Sequence, residues 1–336
     1  MSLPRVVLAG DIGGTNAKLA LAQFDGGSPT FIKREVYPSR QYAALEHVVQ
    51  AFVSDAQIAP YAERIDAACF AVAGPVEEGR ARLTNLGWQI DETAFAKACA
   101  IPQVCVINDF AAAGLGIEQL SRDDLLTLQQ GAPVERADRV VIGAGTGLGV
   151  GWLTWSEGRY HVHPSEGGHS DFAPAGAVQD ELLVHLRREF AHVSSERVLS
   201  GPGLPRILSF LAESSGTRPE AALVEAMSRG DPSEAISEFA LAHRDALAVQ
   251  ALDLFVAAYG SFAGSMALTT LAHGGVYIAG GIAPKIAAKL RDGAFIRAFA
   301  AKGRFQQLLQ GIPVHVVLNQ QVGLYGALAE AARIAS

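Results

Sequence analysis

Leu8 to Leu21 reads LAGDIGGTNAKLAL, and the fold turns on how that stretch is taken. An apolar run, Val6 to Ala9, leads to Asp11, two glycines, Thr15 and Asn16; a second apolar run follows from Ala17 to Phe24. Two apolar runs around a short polar turn predict a β-hairpin. Gly13 and Gly14 carry no Cβ, so the turn can take positive φ and its backbone N–H groups can approach a bulky anion closely. Thr15 and Asn16 add side-chain donors. A carboxylate at Asp11 would repel a bare phosphate, so these residues read as a phosphate turn only if a cation lies between the two. Gly-Gly beside Asn and Thr also makes an ordinary hairpin, and the stretch alone leaves both readings open.

The 336 residues, 49% of them hydrophobic, are enough for two domains with buried cores. A formal charge of −7 supplies no field to attract nucleic acid or an anionic membrane surface, so a polyanionic ligand must be held locally by backbone donors and a cation. Cys69, Cys99 and Cys105 form no C-x-x-C pair, and their odd number suggests no disulfide framework, which fits a reducing cytoplasm. Arg5 to Leu21 is broken by Asp11 and glycines, unlike a signal peptide, and no uninterrupted apolar run of about 18 residues occurs.

Beyond the hairpin, Phe31 to Tyr37 reads as a third antiparallel strand and Tyr42 to Ile58 as a helix. Ala67 to Ala73 is a buried strand stopped by Gly74-Pro75, and a helix follows over Glu92 to Ala100. The strand Gln103 to Ile107 ends in Asn108-Asp109, before an Ala-rich helical start at Phe110 to Leu115. This alternation predicts an α/β domain. The polar region from Glu118 to Ala137 places a junction near residue 120, giving a small domain of residues 1–119 with 320–336 and a large one of 120–319. Then the opening theme returns: strand Val140 to Ala144, turn Gly145-Thr146-Gly147, strand Leu148 to Thr154, roughly 130 residues after the first copy. Two such turns could hold opposite sides of one phosphate chain. Later come Tyr160 to Pro164, the segment Ser165 to His169, a helix from Val178 to Phe190, helical stretches from Pro205 to Leu271, strands at Val276 to Ala279 and Val314 to Leu318, and a closing helix from Gly323 to Ile334.

Several common signatures fail. In Gly143 to Gly149, Leu148 stands where G-x-G-x-x-G needs its third glycine, which disfavours a dinucleotide-binding dehydrogenase. No Gly-Lys dipeptide exists for a Walker A loop, and G-x-S-x-G and H-E-x-x-H are absent. His161 and His163 alternate on one strand face and could join His169 on a metal, but with no cysteine or second acid cluster nearby a water-facing strand carries more weight.

Eight stretches together resemble the bacterial glucokinase family, in the sugar-kinase branch of the actin-like ATPase superfamily. They are LAGDIGGTNAKLAL, FAVAGPV at Phe70 to Val76, LTNLGW at Leu83 to Trp88, INDFAA at Ile107 to Ala112, IGAGTGLGVG at Ile142 to Gly151, PSEGGH at Pro164 to His169, ERVLSGPG at Glu196 to Gly203 and IAGGI at Ile278 to Ile282. The resemblance implies an α/β, two-domain actin-like ATPase (ribonuclease H-like) fold with an active-site cleft between the domains. It also implies a cytoplasmic, usually homodimeric enzyme of glycolysis that uses ATP and Mg²⁺ to convert glucose to glucose 6-phosphate. Gly10, Asp11, Ile12, Gly13, Gly14 and Thr15 become the first phosphate loop, with Asp11 holding Mg²⁺ through water. Gly143, Gly145, Thr146 and Gly147 become the second loop, and Gly280 and Gly281 pass close to the adenosine. Asn108, Asp109, Glu166, His169 and Glu196 fall on the sugar-binding positions, with Asp109 as catalytic base. Related kinases and repressors often carry a zinc-binding cysteine cluster after the Glu-Gly-Gly-His segment. Ser170 to Pro174 follows in this chain, so no structural zinc is expected, and a start at the first strand leaves no room for a helix-turn-helix head.

Phosphoryl transfer to an alcohol needs a positioned hydroxyl, an acceptor for its proton and charge neutralisation on the phosphates. Asp109 suits the proton, although Asp before an Ala-rich run also makes a helix N-cap. Asn108 offers both a donor and an acceptor, as sugar hydroxyls require, and Glu166 and His169 flank two glycines so that both can reach one ligand. A kinase for another hexose or amino sugar, a non-catalytic sugar sensor and a polyphosphate-cleaving phosphatase are the alternatives. Asp109 with both phosphate loops argues against the sensor, and a phosphatase has no use for the hydroxyl-binding set.

Overall fold

Near-continuous apolar runs in the first hairpin produce a sheet with both faces buried. The computed structural model describes residues 4–24, 29–83 and 85–335. The chain divides into two units, Met1–Leu120 with Gln321–Ser336, and Ser121–Gln320.

In the first unit, β1 (Arg5–Ile12), β2 (Asn16–Phe24) and β3 (Thr30–Pro38) form an antiparallel meander, with Ile12 opposite Ala17 where the first turn begins. β4 (Ile65–Val72) follows, then the short strands β5 (Val76–Glu77), β6 (Arg80–Leu83) and β7 (Trp88–Asp91), which make a separate three-stranded sheet. β8 (Gln103–Asn108) completes the main sheet in the order β3-β2-β1-β4-β8, with β1, β4 and β8 parallel. Helices Leu45–Val53 and Glu92–Cys99 lie in the crossovers that parallel pairing requires. Val6, Leu8 and Ile12 join Phe52, Phe70 and Phe95 in one core, and Val7 and Ala9 join Cys69, Leu324 and Leu328 in the other. The second face is rich in alanine, and backbone comes close there: a Cβ on Gly326 would collide with the Ala112 carbonyl, so helix Asp109–Gly116 packs directly on the terminal helix Val322–Ile334.

The second unit repeats the plan. After β9 (Leu125–Gln129), the strands β10 (Arg139–Ala144), β11 (Leu148–Ser156) and β12 (Arg159–Ser165) form an antiparallel meander. β13 (Gly275–Ala279) and β14 (Val314–Val317) add in parallel, giving the order β12-β11-β10-β13-β14-β9. Each glycine turn therefore joins the first two strands of an antiparallel meander, which is the origin of the internal similarity in the sequence. Helix Ala246–Thr270 carries Phe255 and Tyr259 into a core with Phe295 and Phe299. By length and composition it could cross a membrane, but 67% of its most apolar window is buried inside the protein.

The expected elements form with adjusted ends: the helix expected over Tyr42 to Ile58 is Leu45–Val53, and that over Val178 to Phe190 is Ala177–Leu186. β5, β6, β7 and β9 were not anticipated from the sequence.

Candidate active site

The first turn is held from outside as well as within. Gly13 donates its N–H to the Asn16 carbonyl at 2.9 Å, while Ser39, fully buried, donates Oγ to the Gly13 carbonyl at 2.8 Å and its N–H to the Thr15 carbonyl at 2.9 Å. Neither Gly13 nor Gly14 takes positive φ, so the turn does not use the conformational freedom the pair allows. Smallness matters at Gly13, where a Cβ would lie 3.3 Å from the Asn16 carbonyl oxygen, whereas one on Gly14 would make ordinary contact with Asn85 Cβ at 3.5 Å. Asn85 belongs to the LTNLGW stretch, of which Thr84 lies outside the described residues. Gly10 and Ile12 face the core, where the Phe70 ring occupies the place of a Gly10 Cβ, so side chains there have no part in holding an anion. Asp11 faces a cation already: its Oδ2 pairs with Lys18 Nζ at 3.0 Å, directly across the hairpin.

At the C-terminal end of β8 the capping role falls to Asn108, not Asp109. Asn108 has extended backbone, φ −63° and ψ 146°, and its Oδ1 accepts from the N–H groups of Phe110 at 2.9 Å and Ala111 at 3.2 Å. Its Nδ2 donates to the Gly74 carbonyl at 3.0 Å, which ties the FAVAGPV and INDFAA stretches together. One N–H of the amide is thus left for a ligand, since Oδ1 is spent on the helix. Asp109 is the first helical residue, half-buried, with Oδ1 accepting from Phe110 N at 3.0 Å. The positive end of the helix favours a carboxylate at that position.

The second turn, in the other unit, brings three expected residues together. Gly145 donates its N–H to the Gly147 carbonyl at 2.8 Å, and the Gly145 carbonyl accepts from Gly201 N at 2.7 Å. Glu196 Oε2 accepts from Leu148 N at 3.0 Å and stands 2.5 Å from where a Gly147 Cβ would be. His169 Nε2 lies 3.9 Å from Glu196 Oε2 and 3.9 Å from Glu166 Oε2, so the histidine sits between two carboxylates. Their exposures differ in a way that sorts their roles: 75% for Glu166 and 58% for His169, against 27% for the anchored Glu196. The intervening glycines let this segment approach β11, because a Cβ on Gly168 would collide with the Leu148 carbonyl. Carboxylates accept from hydroxyls and imidazole can do either, the donor and acceptor mix a polyhydroxyl ligand needs.

Beside the same turn lies a cavity of about 700 Å³, lined by Gly145, Thr146, Gly201, Pro205, Gly281 and Ile282 among others. A Cβ on Gly145 or Gly281 would meet nothing within 4 Å, so these glycines leave open space for a ligand to lie along the backbone. Gly280 has a structural duty: its φ is +84°, and a Cβ there would sit 2.5 Å from the Ala144 carbonyl oxygen. Gly143 is buried within β10. Beneath the turn, the buried Tyr259 hydroxyl accepts from Ala144 N at 3.2 Å and donates to the Ile142 carbonyl at 3.4 Å, and burial pushes its pKa up. Across the cavity Lys285 Nζ pairs with Glu234 Oε1 at 3.0 Å. Ser39, Tyr259 and Lys285 carried no sequence signal, since each acts through contacts far away in the chain. The expectation that His161 and His163 face water is corrected: His163 Nε2 bonds Thr154 Oγ1 at 2.9 Å and its ring stacks on Trp152, and His161 Nε2 is buried without a hydrogen-bond partner. Among the described residues no group of three or more His, Cys, Asp or Glu is arranged to hold a metal.

A family model described as Glucokinase matches residues 8–334. A glucokinase of Nostoc sp. is 45% identical over 98% of this chain and 99% of its own length, and one of Yersinia enterocolitica is 38% identical over 95% and 94%. Among solved structures, a glucokinase from an Antarctic psychrotroph superposes with a TM-score of 0.85 at 32% identity, covering 98% of this chain and 99% of that one. A ROK family glucokinase from Streptomyces griseus, in complex with glucose and AMPPNP, shares the fold at a TM-score of 0.65 and 21% identity, covering 98% and 99%. The shared architecture is the α/β actin-like ATPase fold of sugar kinases. With a match that runs from the first strand to the last helix and relatives aligned over nearly their full length, the chain belongs to the glucokinase family.

Proposed function

We propose that this phosphotransferase moves the γ-phosphoryl group of ATP to the 6-hydroxyl of glucose, with Asp109 as the base and the two units serving as its two domains. The hydroxyl oxygen forms a bond to the γ-phosphorus as the bond to the ADP oxygen breaks, and the hydroxyl proton passes to the Asp109 carboxylate. Asn108, Glu166, His169 and Glu196 hold the ring hydroxyls. The observation that carries this proposal is the junction in the second unit: Glu196, anchored at 3.0 Å on Leu148 N, puts hydroxyl acceptors directly beside a glycine turn that opens on a cavity. ATP fits there, since Gly145 and Gly281 present bare backbone to open space and Pro205 and Ile282 offer apolar surface for a base.

Mg²⁺ would enter with the nucleotide; Asp11 is the residue that would hold it, and the ion would supply charge neutralisation on the phosphates. Asp11 presents its carboxylate beside the first turn, where Lys18 Nζ pairs with it at 3.0 Å. A cytoplasmic homodimer is the working state we assign, with three unpaired cysteines in keeping with a reducing compartment. A coupled assay across a hexose panel with ATP, ADP and polyphosphate as donors tests the substrate assignment. Turnover confined to glucose with ATP is expected, and a preference for an amino sugar or for polyphosphate would overturn it.

A further inference from the structure

We propose that Gly147, a residue of the phosphate turn, is a positioning residue for glucose, and that through Glu196 sugar and nucleotide bind with positive coupling. This rests on the sugar-binding role given above to Glu166, His169 and Glu196. One oxygen, Glu196 Oε2, serves both sides: Leu148 N is 3.0 Å away and His169 Nε2 3.9 Å. The same oxygen fills the space that a Gly147 Cβ would take, 2.5 Å from it. Two more bonds sew this segment together, Ser200 Oγ to the Glu196 carbonyl at 2.7 Å and Gly201 N to the Gly145 carbonyl at 2.7 Å. The carboxylate is therefore aimed by the turn that would receive the phosphates. The sign follows from charge. With no sugar present, an anionic carboxylate beside the turn opposes the phosphates; hydroxyls donating to Glu196 disperse that charge and favour nucleotide, and by linkage nucleotide favours glucose equally.

The test measures glucose affinity by calorimetry without nucleotide, and AMP-PNP affinity with and without saturating glucose. Gly147→Ala displaces the Glu196 carboxylate and is expected to weaken glucose about tenfold, whereas Gly145→Ala, in the same turn but facing open space, leaves glucose affinity unchanged. In the native protein glucose is expected to tighten AMP-PNP about fivefold or more, and in Glu196→Gln that ratio is expected to fall to about one. Unchanged glucose affinity in Gly147→Ala, alongside weakened affinity in Glu196→Gln, overturns the positioning role while sparing the sugar site. Unchanged glucose affinity in Glu196→Gln removes the sugar-binding role and this proposal with it. If Gly147→Ala does not fold, the AMP-PNP ratios decide: a native ratio of one, or a native-like ratio in Glu196→Gln, refutes the coupling.

Discussion

Gly145→Val separates a turn that binds nucleotide from one that merely reverses the chain. Gly145 does not take positive φ, and a Cβ there would meet nothing within 4 Å, so valine costs the fold little. Its β-branch restricts the unfolded chain as well as the turn, which offsets part of any strain. The two methyl groups project instead into the cavity of about 700 Å³ beside Thr146 and Gly281. In the proposed site, a nucleotide lying in that cavity then meets methyl groups where the turn left bare backbone. Losing one charge-assisted hydrogen bond costs about 1.5 to 3 kcal/mol, or roughly ten- to a hundredfold in affinity. Calorimetric titration with AMP-PNP reads this directly, and a thermal melt reports whether the variant is folded. A folded Gly145→Val protein with native nucleotide affinity would refute the assignment of this turn.

Glu166→Gln and His169→Ala should each raise the glucose KM about tenfold or more, as expected for a lost charged hydrogen bond, and unchanged glucose dependence in both would move the sugar site elsewhere. Purified protein should contain no stoichiometric zinc and should lose turnover when Mg²⁺ is removed; elemental analysis showing about one zinc per chain, or full activity without Mg²⁺, would contradict this. Burial and the nearby Arg139 hold the His315 pKa below its ordinary 6.5, so the unfolded chain takes up the proton first. That contribution to stability is complete above pH 6.5 and is lost as the pH falls toward the depressed value; melting temperatures between pH 7 and 5 should decline less in His315→Gln, which retains a partner for Thr127 Oγ1.

The legible parts of the fold were those in which continuous apolar runs meet a glycine turn, as in β1 with β2 and β10 with β11. The short strands β5, β6, β7 and β9 were not legible. In β6, RARL, Ala81 and Leu83 are buried between exposed arginines, and an alternation that carries only two apolar residues is too short to stand out. Glycine composition announced both turns but not their physics, since Gly13, Gly145 and Gly147 leave room without taking positive φ. Adjacent Asn108 and Asp109 are equally good caps on paper; which one caps depends on where β8 ends, and the extended backbone of Asn108 decides it. Glu196 had no signal of its own beyond the family resemblance, since its partner Leu148 is 48 residues away in the chain.

That division of labour at the end of β8 makes Asp109→Asn the most direct test of the proposed chemistry. Asn108 keeps the helix capped in the variant, and asparagine preserves the shape of the side chain, so a melt close to native is expected. Glucose affinity without nucleotide should weaken only modestly, because Asn108, Glu166, His169 and Glu196 remain. Turnover should fall roughly 10²- to 10⁴-fold through loss of the carboxylate that accepts the hydroxyl proton. A folded Asp109→Asn protein that binds glucose and phosphorylates it at a near-native rate would contradict the base assignment.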